Sequence, residues 1–181
     1  VPGPSSKALA DLAREHDLYI VYGLHEKDGA SPTKLYNAAA VVGPEGVIGS
    51  YRKVHLGEPP WATEGQTFTP GTSLPLFPTR FGPIGVQICY DFWFNPELTR
   101  LLALKGARMI VCPVGSFAGP GRDESMRATA PPLAQYNLVP VTSSNSLAVP
   151  RTRAAGYSGA TRPAGLTPYH TFRPQLLPRP P

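Results

Sequence analysis

Cysteine is scarce in this chain: Cys89 and Cys112 are the only two among 181 residues. A small secreted scaffold held together by disulfides would carry more of them, evenly paired, so a disulfide framework is not expected. Neither cysteine sits in a CxxC spacing, and the histidines (His16, His25, His55, His170) are scattered, so no metal site is expected. There is no run of eighteen apolar residues, hence no segment suited to crossing a bilayer as a helix. No basic, apolar, small-residue order at the front suggests a secretory leader. The expectation is a cytoplasmic globular protein, of a length that fits one domain with a real core.

Charge is sparse as well, at 16% of residues, against a hydrophobic fraction of 41%. The net charge of +5 is spread thinly. Its densest cluster, Arg151 and Arg153 followed by Arg162, lies in a Gly/Ala/Pro-rich stretch with little aromatic interleaving. That composition fits a solvated surface better than a phosphate-binding face, so nucleic acid is not an expected partner.

Methionine is limited to Met109 and Met126, and the chain opens on Val1. A valine start codon or a lost beginning both account for that opening. A helix is expected almost at once, capped by Ser5 and Ser6, with Leu9, Leu12 and Ala13 as its apolar stripe. A domain that opens in the middle of its pattern is expected to have lost an earlier strand and helix. The tail from Leu166 has five prolines and no acidic residue in sixteen positions, a composition that makes no packed element. A natural disordered tail and a slipped reading frame both remain open for it.

What lies between is regular. LYIVYGL (18–24) reads as a buried strand. YNAAAVVGPEGVIGSYRK reads as two strands joined by hairpin-turn chemistry at Pro44-Glu45-Gly46. Residues 54–72 form a loop long enough to suggest function. LPLFPTRFGPIGVQIC supplies two more strands around Gly82-Pro83, the second running over 84–88 to Cys89. Asn95 and Pro96 open a helix through Leu98, Leu101 and Leu102 that stops at Gly106. Another strand covers 109–114. A helix near 123–136 is marred by Pro131-Pro132, and strand character resumes over 138–142. Strands alternating with helices, plus adjacent hairpin strands, give a layered α/β domain with a mixed sheet.

Cys89 stands where a strand ends and the chain turns towards a helix, in GVQICYDFWFNPE. That placement exposes a side chain at a sheet edge, where open α/β folds put their sites, and leaves the following N–H to meet an oxyanion. The competing reading, a small buried hydrophobe, is the one adopted for Cys112. Lys53 closes YRKVHL at another strand end. An ammonium beside a thiol enlarges its thiolate fraction and stabilises a tetrahedral oxyanion, although an isolated lysine is usually solvated.

The segments YRKVHL, EGQTFTPG, GVQICYDFWFNPE and GARMIVCPVGSF, in that order and spacing, resemble the nitrilase superfamily of carbon–nitrogen hydrolases over roughly residues 8–165. YNAAAVVGPEGVIG is similar to its usual lead-in, and 135–137 and 156–165 are weakened versions of later segments. The resemblance implies an α-β-β-α sandwich with mixed sheets, incomplete at the N-terminus, in a domain over 1–165 followed by a Pro-rich tail over 166–181. It implies Cys89 as the nucleophile that forms a thioester, Lys53 and the Tyr90 backbone N–H as holders of the oxyanion, and Glu64 as the acid that positions the lysine. Glu64 as an exposed loop carboxylate is the alternative. Phe92 and Trp93 fall where such enzymes shape the substrate pocket, with aromatic core packing as the alternative. Asn37, Arg52, Asp91 and Glu97 match architectural positions.

The family's general base is a glutamate ahead of the first helix seen here, and neither Glu15 nor Glu26 is a good substitute. The implied reaction is hydrolysis of a non-peptide C–N bond in an amide or N-carbamoyl compound, the Cys-Tyr-Asp sequence favouring amidase or carbamoylase branches over nitrile-cleaving ones. The resemblance implies no cofactor and a homodimer or larger homo-oligomer. The competing function is a noncatalytic remnant that packs against a partner subunit.

Overall fold

A computed structural model describes residues 1–60, 62–116, 121–145 and 159–162. The first layer begins with α1 (Pro4–Glu15), which lies against a sheet made of β1 (Ile20–Lys27), β2 (Leu35–Gly43) and β3 (Gly46–Arg52). All its pairings are antiparallel, with β2 in the centre. The β2–β3 turn falls at Pro44-Glu45 as expected, and Gly46 follows it at φ 114°, a value that favours glycine.

Strand β2 is buried on both faces. Ala39 and Val41 look into the space between the sheets, while Val42 meets Ala10 and Ala13 of α1. The three consecutive alanines 38–40 are fully buried, so the strand is narrow enough to be covered on both sides. The stripe of α1 differs from the expected one. Ser6, Ala10 and Ala13 are buried, whereas Leu12 is exposed and Leu9 only partly covered. Pro4 starts the helix with Gly3 as its N-cap, so Ser5 and Ser6 lie inside it, and the Ser6 hydroxyl pairs with Tyr22 at 2.9 Å.

The second sheet contains β4 (Leu76–Phe77), β5 (Ile84–Val86), β6 (Met109–Val114), β7 (Val141–Asn145) and β8 (Gly159–Thr161), in that order. Its three middle strands are parallel and its two edges antiparallel. Between β5 and β6 run a short helix, α2 (Tyr90–Phe94), and α3 (Pro96–Leu104); α4 (Arg122–Asn137) joins β6 to β7. Parallel strands need such crossovers. Beyond β5, Gln87 and Cys89 still donate their N–H groups to Val111 and Pro113, so the expected strand over 84–88 keeps its pairing after its regular part ends.

The two sheets pack face to face through Ala39, Val41 and Tyr51 on one side and Phe77, Ile84, Val86 and Ile88 on the other. Leu102, Ala130, Leu133 and Ala134 cover the outer face of the second sheet over Ile110, Cys112 and Val114. The architecture is an α-β-β-α sandwich. Cys112 is fully buried, as its mid-strand position suggested. Helix α4 runs through Pro131-Pro132 without a break. Asn95 occupies the N-cap of α3, but its side chain donates to the Tyr90 carbonyl at 3.1 Å instead of capping the helix. The expected Pro-rich tail, Arg151 and Arg153 lie outside the described residues. Among the described residues no helix is long and apolar enough to cross a membrane.

Candidate active site

Lys53 is the first residue past β3, and its backbone is fixed on both sides. Its N–H donates to Asn37 and its carbonyl accepts from Gly71, both at 2.8 Å. Gly71, the glycine of the FTPG segment, approaches so closely that a Cβ there would lie 2.1 Å from the Arg52 carbonyl oxygen. The Lys53 side chain is buried and its ammonium lies 2.6 Å from Glu64 Oε2. A buried cation without a partner is expensive, so this contact is what permits the lysine to be inside.

Glu64 opens a single 3-10 turn (Glu64–Gln66) and points inward. Besides Lys53, its carboxylate accepts from Asn37 Nδ2 at 2.7 Å and from the Gly57 N–H. Burial raises the pKa of this carboxyl, but the donors, Lys53 foremost, outweigh burial and leave it below the ordinary glutamate value. The expected link between Lys53 and Glu64 is therefore present as geometry. Arg52, one residue earlier, faces away: its guanidinium bridges Glu26 and Asp28 at 3.0 Å each and lies over the Tyr36 ring.

Cys89 ends the extended run after β5 and is the N-cap of α2, with φ 46° and ψ −99°. A non-glycine residue held at positive φ stores about 1–3 kcal/mol and persists only where its surroundings fix it. Here the Cys89 N–H is held by Pro113 at 3.1 Å, and the Cys89 carbonyl accepts from the Phe92 and Trp93 N–H groups. The half-buried Cys89 therefore sits on a sharp turn at the end of the parallel part of the sheet. Tyr90 follows as the first residue of α2, where helix N–H groups lack intrahelical acceptors.

One cavity of about 630 Å³ is lined by Cys89, Lys53 and Glu64 together, with Asn37, Gly23, Leu24, His25, Ile88 and 113–115 completing it. Lys53 and Glu64 come from the first layer and Cys89 from the second, so the site lies where the sheets meet. His25 was not singled out in sequence; β1 places it opposite Asn37 and its ring lies 4.9 Å from Phe68. Glu64 is the one carboxylate among the described lining residues. A second cavity of about 640 Å³ is lined by Tyr90, Asn95 and residues of the stretches 54–59 and 63–70, without the thiol. Phe92 and Trp93, expected near the substrate pocket, pack on the core among the described residues. Phe92 is fully buried beside Leu102, Trp93 packs on the same cluster, and neither lines the thiol's cavity. Their helix is only five residues long, and its Phe92 face turns under the sheet.

A sandwich of two sheets between helices thus brings a cysteine turn and a buried lysine–glutamate pair to one cavity. The sequence pattern of the family described as carbon-nitrogen hydrolase matches residues 1–163, and the chain belongs to that family. It is 47% identical over 112 residues to a nitrilase of Pyrococcus abyssi, covering 61% of this chain and 40% of that protein. It is 37% identical over 123 residues to human omega-amidase NIT2, covering 65% of this chain and 43% of that one. Among solved structures, Nit3 of Saccharomyces cerevisiae superposes with a TM-score of 0.79 at 30% identity, over 91% of this chain and 59% of that one. The matches thus span about 40% of the length of these curated relatives.

Proposed function

We propose that this chain carries the nucleophile and oxyanion parts of an amidase-type hydrolase that splits a non-peptide C–N bond in a small amide or N-carbamoyl compound. The observation that carries the reading is the convergence of Cys89, Lys53 and Glu64 on one cavity. The Cys89 thiol adds to the carbonyl carbon, and the Lys53 ammonium and the Tyr90 N–H receive the oxyanion. The proton given up by the thiol goes to the leaving nitrogen, so that the C–N bond breaks and amine or ammonia departs as the thioester forms. Water then cleaves the thioester to the acid and restores the thiol. Glu64 holds Lys53 in place and keeps it paired between turnovers. The relatives' printed names, nitrilase and omega-amidase, support the bond class. The amidase side is preferred because of Tyr90 and Asp91 after the thiol. No cofactor enters the scheme, since the thiol supplies the nucleophile.

Proton transfer needs a base for the thiol and an acid for the leaving group. Glu64 is ill suited to both, because three donors occupy it and its pKa is lowered. Its position as the one carboxylate among the described lining residues favours a second reading, in which the chain is a noncatalytic module that packs on a partner.

One experiment separates the two. The protein is incubated with a panel of short-chain primary amides and N-carbamoyl amino acids. Released ammonia is measured, and Cys89 is examined for an acyl adduct by mass spectrometry. Ammonia release or an adduct on Cys89, both abolished in Cys89→Ala, is the expected result. A cooperatively folded protein that gives neither signal establishes the packing module, and turnover that survives Cys89→Ala removes the thioester mechanism. The reading extends to a homodimer or larger homo-oligomer in the cytoplasm that binds no nucleic acid.

A further inference from the structure

Three backbone N–H groups that flank the two reactive side chains connect to one buried acid. Asp91 Oδ1 accepts the N–H of His55 at 2.8 Å, and Oδ2 accepts the N–H of Ile88 at 3.1 Å. The Tyr51 hydroxyl donates to Oδ2 at 2.8 Å and itself accepts the Val54 N–H at 3.2 Å. Tyr51 and His55 lie two residues either side of Lys53, and Ile88 immediately precedes Cys89. The main chain of Asp91 is tied in turn: Gln87 Nε2 donates to its carbonyl, and Gln87 Oε1 accepts from the buried Thr99 hydroxyl at 2.7 Å.

We infer that Asp91 is a positioning residue, whose carboxylate fixes the end of β3, and with it Lys53, against the strained turn that carries Cys89. This rests on the function proposed above. The two sheets otherwise meet there through Ala39, Val41, Tyr51, Ile84, Val86 and Ile88. Apolar packing of that kind is non-directional. Hydrogen bonds are directional to within tens of degrees and a few tenths of an ångström, which is the tolerance a thiol and an ammonium need to address one carbonyl group. Asp91 and Tyr51 line neither cavity, so they act through the groups they hold and not on substrate.

Stability alone does not explain the acid. Asp91 is fully buried, and burial raises its pKa above the ordinary aspartate value despite donors from His55, Tyr51 and Ile88. A carboxylate whose desolvation outweighs its hydrogen bonds costs stability at neutral pH. What it supplies in exchange is a fixed distance between two layers.

The test reads the thiol without turnover. Cys89 is alkylated with iodoacetamide in wild type, Asp91→Asn and Tyr51→Phe, with peptide mapping to separate it from Cys112 and urea melts to confirm folding. Asp91→Asn keeps the volume but turns one acceptor oxygen into a donor, facing either the His55 N–H or both the Ile88 N–H and the Tyr51 hydroxyl. The expected result is a Cys89 alkylation rate about tenfold lower in Asp91→Asn and severalfold lower in Tyr51→Phe, as Lys53 moves away from the thiol and its thiolate fraction falls. The midpoint of the rate–pH profile moves up with it; the groups facing Cys89 are Lys53, Glu64 and His25 around the cavity, with Cys112 and Asp91 behind. A purely structural acid would change the urea midpoint and leave both rate and profile at wild-type values, and that outcome overturns the inference. If Asp91→Asn does not fold, Tyr51→Phe decides alone on the same criterion. Absence of amide hydrolysis in wild type would defeat the proposed reaction yet leave this alkylation result standing, so the two failures are distinguishable.

Discussion

Glu64 receives Lys53, Asn37 and Gly57 on two oxygens, and its removal would leave a buried ammonium without its counter-charge. Losing one member of a buried pair costs about 3–5 kcal/mol, so Glu64→Gln is expected to be destabilised near neutral pH by an amount towards the lower end, because the glutamine oxygen retains part of the contact. The pH dependence has a definite sign. The folded carboxyl has a pKa below the ordinary glutamate value. Its contribution is therefore complete above that value and is lost as pH falls through the folded pKa. Urea midpoints recorded from neutral to acid pH should fall less steeply in Glu64→Gln than in wild type. Parallel curves would mean that the pair contributes nothing to acid sensitivity. At this scale the sequence singled out Cys89, Lys53 and Glu64 through motifs that resemble those of a known superfamily, and the structure brings the three to one cavity. The sequence was illegible for the pairing of Tyr51 with Asp91, which are forty positions apart and share no local pattern. Phe92 and Trp93 were ambiguous because an aromatic residue after a nucleophile fits a pocket and a core equally well until the helix direction is known.

Elements were easiest to read where turn chemistry and periodicity agreed, as in the β2–β3 hairpin, and hardest where they conflicted. The conflict is sharpest in α4, whose Pro131 and Pro132 stand inside a continuous helix. Each proline withholds an N–H from the carbonyl one turn earlier and crowds it. Leu133 and Ala134, the next two residues, are buried against β6 and β7, so tertiary packing keeps the helix in place against its local preference. Both prolines are exposed, so replacing them disturbs no core contact. Pro131→Ala is expected to stabilise the fold by about 1–3 kcal/mol: a proline costs about 3 in a helix interior, less what its stiffness contributes by restricting the unfolded chain. Equilibrium urea unfolding measures this directly. A loss of stability would show that the helix bends at Pro131 in a way the packing requires. Helix α1 illustrates the same competition from the other side. Its leucines suggested one stripe, and the narrow alanine strand β2 selected another built of small residues.

At the scale of the molecule, the sandwich closes its core between the sheets but leaves an apolar strip outside it. Leu101 and Leu104, one turn apart on α3, are 47% and 48% exposed. The largely exposed Tyr136 lies on α4, which packs beside α3, and the exposed Leu138 directly follows α4 as its C-cap. Single exposed leucines need no explanation, but several on two adjacent helices make a face that association would bury. Within the proposed homo-oligomer this face is where copies should meet. Sedimentation velocity over a concentration series should show an associated species, and the double change Leu101→Glu with Leu104→Glu should shift it to the monomer while urea unfolding remains cooperative. Unchanged sedimentation in the double variant would place the contact elsewhere, and a wild type that remains monomeric at every concentration would end the oligomer proposal. The consequence reaches the site. Helix α3 begins at Pro96, directly after the Asn95 side chain that holds the Tyr90 carbonyl, so a contact that steadies α3 also steadies the turn carrying Cys89. Alkylation of Cys89 should accordingly be less uniform across the monomeric variant than in the assembled protein.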